Sequence, residues 1–113
     1  MVDKEKINAE LQSIIHSTDK LLEQIKERQS FNLLVLSDEL DNNIRKLGRL
    51  LSYCEKECDD DYKDLELSLN NLSYAKELAY ITYDDTTKSD ERDHELYKLL
   101  STVSADLNRY IAA

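Results

Sequence analysis

No proline and a single glycine, Gly48, interrupt this chain of 113 residues. Hairpins draw on glycine, proline and Asn-Gly pairs, and a β-rich fold needs such a turn roughly every ten residues. Almost no punctuation is available for strands here. Leu, Glu, Lys, Ala and Ile are abundant instead, and most of them favour helix. The expected fold class is all-α: an antiparallel helical bundle of three to four helices, as a single domain over residues 1–113.

Steps of three and four between apolar residues divide the chain into helices. In the first, expected near Asp3 to Arg28, Ile7, Leu11, Ile14, Ile15, Leu21, Leu22 and Ile25 form one stripe. Gln29 to Asn32 reads as a turn. A second helix follows from about Asn32 to Cys58, on Leu33, Leu36, Leu40, Ile44, Leu47, Leu51, Cys54 and Cys58, a heptad-like seam. Ser37-Asp38-Glu39 is an alternative start, which makes Phe31 to Leu36 an apolar linker. Asp59-Asp60-Asp61 is expected to end this helix and cap the next. Cys58, Tyr62, Leu65 and Leu69 nevertheless keep nearly the same phase, so one continuous rod is an open alternative. The third helix runs to about Thr82, and Tyr83 to Lys88 forms a polar loop. Ser89 is the expected cap of a fourth helix that carries Leu96, Leu99, Leu100, Val103, Leu107, Tyr110 and Ile111 on one face.

The third helix differs from the others. Leu65, Leu69, Leu72 and Ala79 share one side, with Tyr62 at the edge, and Leu67, Tyr74, Leu78 and Ile81 share the opposite side. A helix apolar on two sides is either central or covered by something else. One possible cover is the segment Phe31, Leu34 and Val35 of the same chain. The other is a protein surface, either a second copy or a partner. Leu67, Tyr74, Leu78 and Ile81 are accordingly the expected partner-binding residues, extended by Tyr83, Asp84 and Asp85. Tyrosine is enriched where proteins meet, and Tyr74 stands at the centre of the stripe. Tyr80, Tyr83 and Tyr97 form a weaker candidate patch around the acidic pair Asp84-Asp85.

Charge narrows the choice of partner. Lys and Arg number 15 and Asp and Glu number 24, a formal net charge of −9. Such a surface repels phosphate backbones and anionic membranes, so neither nucleic acid nor a membrane is expected to bind. No apolar run approaches the ~20 residues a membrane span needs. The charged opening Met-Val-Asp-Lys-Glu-Lys does not read as a secretory leader, and two cysteines four residues apart do not make a disulfide framework. The expected setting is reducing and cytoplasmic.

Chemistry-bearing motifs are thin. Cys54 and Cys58 lie on the apolar stripe, where a thiol packs as a small hydrophobe, and His16 and His94 are too far along the chain to complete a zinc set. Glu91-Arg92-Asp93-His94 spells one Glu-x-x-His unit, whereas di-iron bundles use two with further glutamates. His94-Glu95-Leu96 is similar to the first three residues of the phosphoacceptor box of sensor histidine kinases. Tyr97, Lys98 and Leu99 then stand where arginine and proline are expected. Asp59, Asp61 and Asp64 lack the glycine and terminal glutamate of a calcium loop. Gly48, flanked by Arg45, Lys46 and Arg49, is a candidate point of close helix approach beside a basic cluster. No catalytic residue, cofactor or metal is assigned.

The function expected from these features is a non-enzymatic protein-interaction module, comparable in class to small acidic helical chaperones, immunity proteins and inhibitors. A self-assembling structural homodimer is the second expectation. A DNA-mimic inhibitor ranks below both, because 15 basic residues are too many for a phosphate-like surface.

Overall fold

Apolar residues at steps of three and four bury one stripe of each helix in a shared core. In a computed structural model these helices are α1 (Lys4–Glu27), α2 (Leu33–Glu57), α3 (Lys63–Ala79) and α4 (Thr86–Ala112). The structure describes residues 4–27, 33–57, 62–81 and 86–112, and no strand occurs among them. Each helix is flanked by two others: α1 and α3 both lie against α2 and α4, with α1 diagonal to α3 and α2 diagonal to α4. The result is an all-α four-helix bundle, elongated at 51 × 20 × 19 Å. Side-chain contacts fix the directions of its helices. Ser17 meets Glu39 and Asn43 while Ser13 meets Lys46, so α2 runs antiparallel to α1. Arg92 reaches Ile81 and Arg109 reaches Asp64, so α4 runs antiparallel to α3.

Leu11, Ile14, Leu36, Leu40, Leu47, Leu65, Leu72, Leu96, Leu100, Val103 and Leu107 are almost wholly removed from water. Each such side chain contributes about 1.5–3 kcal/mol of burial, which is what holds the four stripes together. Thr18, in the α1 stripe, returns its hydroxyl to the Ile14 carbonyl at 2.8 Å and so enters the core satisfied.

In α2 the seam is rotated from the expected one. Asn43 and Leu50 are buried, while Ile44 and Leu51 are half-buried against the core. Both readings share Leu36, Leu40, Leu47 and Cys54, and the pattern alone does not choose between the residues flanking them. Two neighbours decide it. Asn43 Nδ2 donates to Ser17 Oγ on α1 at 3.1 Å. Ile44 and Leu51 fall on the other shoulder, in line with Asp41, which pairs with Lys76 of α3.

The helix boundaries carry three further differences. α2 and α3 are separate helices packed on each other, which sets aside the continuous rod. The residue preceding α3 is Tyr62, whose side chain makes no cap, with Asp64 and Glu66 in the first turn. Asp59 to Asp61 lie outside the described residues. α3 closes at Ala79, earlier than expected, and Tyr80 and Ile81 tighten its last turn by donating to the Glu77 and Leu78 carbonyls. α4 starts at Thr86, so Ser89 is a residue inside the helix and not its cap. Its hydroxyl instead accepts from Arg92 at 3.2 Å.

Gly48 does not mark a close approach. A Cβ added there meets nothing within 4 Å. Nor do the basic residues around it act together: Lys46 points to Ser13 of α1, while Arg45 sits 3.6 Å from Asp41. Arg45 and Arg49, with Asn42, line a shallow open groove.

Candidate functional site

α3 turns an unusual pair of faces to its surroundings. Its core side is built from Leu65, Ser68, Leu72, Ala75 and Ala79, three of them small. Its outer side carries Leu67 and Tyr74, which are 53% and 48% exposed, and just past its last residue Tyr80 and Ile81 are 65% and 39% exposed. Leu78 is half-buried and packs on the core from the rim of the same stripe. The second apolar side is therefore largely in contact with solvent. Tyr83, Asp84 and Asp85, expected to extend it, lie outside the described residues.

The expected cover from the same chain fails where it is visible. Val35 is itself 51% exposed. It stands four residues before Glu39 and eleven before Lys46, both of which touch α1, so it belongs to the shoulder of α2 turned away from α3. Phe31 and the side chain of Leu34 lie outside the described residues. Tyr97 also belongs elsewhere. It packs against the core seven residues before Ser104, whose hydroxyl donates to Asp19 of α1, and so faces α1 and not α3.

The stripe runs along the α4 side of α3. Asp64, Leu67, Asn71, Tyr74, Leu78 and Ile81 follow one another in steps of three and four, and Asp64 accepts from Arg109 of α4 at 3.3 Å. On α4 the matching line is Arg109, Thr102, Glu95 and Glu91. These two lines are the banks of a long shoulder between α3 and α4, closed at one end by Arg92. That residue is buried at 8% exposure, with its guanidinium donating to the Ile81 carbonyl at 2.6 Å and to Asp93 at 3.0 Å. The last turn of α3 is thereby fastened to α4.

Three cations near this shoulder, Lys76, Arg92 and Arg109, have acidic neighbours, while Lys88 and Lys98 of α4 stand exposed. Lys76 donates to Asp41 at 2.7 Å, on the α2 side. That hydrogen bond holds the Asp41 carboxyl below the usual carboxylate range and raises the Lys76 ammonium above its own. Arg109 is held by Asp64 and Asp106, and the Asp64 hydrogen bond first of all raises its pKa. Glu66 and Glu77 lie on the flank of the α3 stripe nearer α2, and Glu91 and Glu95 lie on the α4 bank with Lys98, all of them exposed but the half-buried Glu95. Glu66 and Glu77 stand in no motif of the sequence, whereas Glu91 and Glu95 figure there only through the Glu-x-x-His unit and His94-Glu95-Leu96. Their spacing from Arg109 becomes informative only once Arg109 is known to touch α3.

The other candidate groups do not converge. His16 and His94 are exposed on separate helices, and Cys54 is buried in the core. Cys58 lies outside the described residues. Among the described residues no group of three or more His, Cys, Asp or Glu side chains is gathered as a metal site needs. No helix among them is long and apolar enough to cross a membrane.

Fold and face together define a class: an acidic, antiparallel four-helix bundle in which one helix is apolar both inward and outward. Comparison of the chain with protein-family models, with curated proteins and with solved structures finds no match.

Proposed function

We propose that this chain is a non-enzymatic protein-interaction module that binds another protein through the outer face of α3. One observation carries the reading: Leu67 and Tyr74, with Ile81 just past the last turn, are exposed on the outer side of the helix whose core side is made mostly of small residues. Apolar side chains scattered singly on a surface need no explanation, but Leu67, Tyr74, Leu78 and Ile81 recur on one side, interrupted by Asn71, and that recurrence supports an association surface. Its Tyr74 and Tyr80 suit that use, since their rings supply contact area at little entropic cost. A cytoplasmic setting belongs to the same reading, supported by the Cys54 thiol packed in the core.

A homodimer is the second reading. Leu67, Tyr74 and Ile81 are spaced seven apart in sequence and symmetric about Tyr74, so two antiparallel copies of α3 would bring Leu67 towards the Ile81 that follows the helix in the other copy.

The test is a photo-cross-linking residue at position 67 of the full chain in the cells that produce it. The expected result is one discrete adduct that disappears in Tyr74→Lys, while the circular dichroism and thermal midpoint of that variant stay close to the parent's. An adduct of the chain with itself selects the homodimer. Equal labelling from position 10, on α1, the helix diagonal to α3, or unfolding of Tyr74→Lys, removes the docking reading.

A further inference from the structure

Arg92 is the one lysine or arginine among the described residues that is nearly removed from water, at 8% exposure. Its charge partner is its own neighbour Asp93, which Nε and Nη2 reach at 3.2 and 3.0 Å. Nη2 also donates to Ser89, one turn earlier, at 3.2 Å. Both of these contacts stay within α4. The bond that crosses to α3 runs from Nη1 to the main-chain carbonyl of Ile81 at 2.6 Å. Ile81 stands two residues past Ala79, where α3 ends, and its side chain is exposed.

A buried ion pair is costly to desolvate, and its replacement by uncharged groups of similar volume often leaves stability unchanged or higher. What the planar guanidinium supplies is geometry. Asp93 and Ser89 hold two of its edges, so the remaining donor has a fixed direction. Its acceptor belongs to the main chain, so the contact reads the path of the backbone and not the side chain at position 81. We propose that Arg92 is a clasp that fixes where α3 ends and how Tyr80 and Ile81 are presented, while adding little to the stability of the bundle. The clasp does not depend on what meets the outer face. Only its benefit, two side chains ordered before anything binds, rests on the docking reading.

Amide hydrogen exchange of the full chain, followed residue by residue by NMR, tests this. In the parent, the Tyr80 and Ile81 amides donate to the Glu77 and Leu78 carbonyls and are expected to be protected, although helix ends usually fray. The double change Arg92→Met with Asp93→Asn removes both members of the ion pair together. It should speed exchange at Tyr80 and Ile81 at least about tenfold and leave Leu72 and Ala75 unchanged. The thermal midpoint should stay within about 4 °C of the parent's. Arg92→Lys keeps the charge beside Asp93 without the planar fork and should show the same local loss. Free-coil exchange at Tyr80 and Ile81 in the parent overturns the proposal. Protection that survives either variant also overturns it, since the helix or a charge alone would then hold these residues. Faster exchange along the whole of α3, or a larger fall in the midpoint, would make Arg92 an ordinary source of stability, and the proposal falls. Leu67 lies in the regular part of α3, so cross-linking from position 67 and the clasp fail separately.

Discussion

Gly48 and Ser68 sit in helices with no contact that requires them. A side chain at position 48 enters open space, so the glycine is not making room for a neighbour. Gly48→Ala should raise stability by about 0.5–1 kcal/mol, because alanine loses less backbone freedom on folding. Ser68 is fully buried, and its hydroxyl has no hydrogen-bond partner among the described residues. Ser68→Ala removes a desolvated, unsatisfied group and should add about 1 kcal/mol. Urea denaturation of the two variants checks both gains, and a loss at either position would mean that the residue makes a stabilising contact of its own. Thr18 is the contrast: its hydroxyl is satisfied by the Ile14 carbonyl, so no similar gain is expected there.

At the scale of elements, the α2–α3 seam is tied by an ion pair whose pH dependence follows from its geometry. Asp41 accepts from Lys76 and lies near Arg45, so its folded pKa is depressed, the Lys76 hydrogen bond being the largest cause. Its contribution to stability is complete above the ordinary carboxylate range and is lost as pH falls through the depressed folded value. Lys76 is shifted the opposite way, so its contribution is complete below the ordinary ammonium range and is lost as pH rises through the raised value. Asp41→Asn should therefore lower the urea midpoint at neutral pH, with the gap to the parent closing below about pH 4. The effect is expected to be small, because both groups meet solvent. A gap that stays constant down to strong acid would show that the loss came from packing and not from charge.

The whole molecule is a narrow bundle with a net charge of −9 and one apolar shoulder open to water. Repulsion between copies and attraction between their stripes oppose each other, and the net charge favours repulsion. The isolated chain is expected to be a monomer by light scattering over a hundredfold range of concentration at low salt. A stable dimer under those conditions would move the homodimer reading ahead of a foreign partner.

Composition and periodicity were enough for the fold class. With one glycine and no proline, every long segment had only helix available, and the spacing of Ile7 to Ile25 or Leu96 to Leu107 marked the side that leaves water. The same periodicity showed that α3 has two apolar sides, because a wheel of side chains depends on order along the chain alone. What it could not show was which neighbour each shoulder meets. Asn43 is buried because Ser17 of α1 lies opposite it, and Arg92 is buried because the Ile81 carbonyl ends α3 beside it. Val35 leaves α3 uncovered because its shoulder of α2 faces α1. These are contacts between residues far apart in sequence, and only the packing of the four helices brings them together.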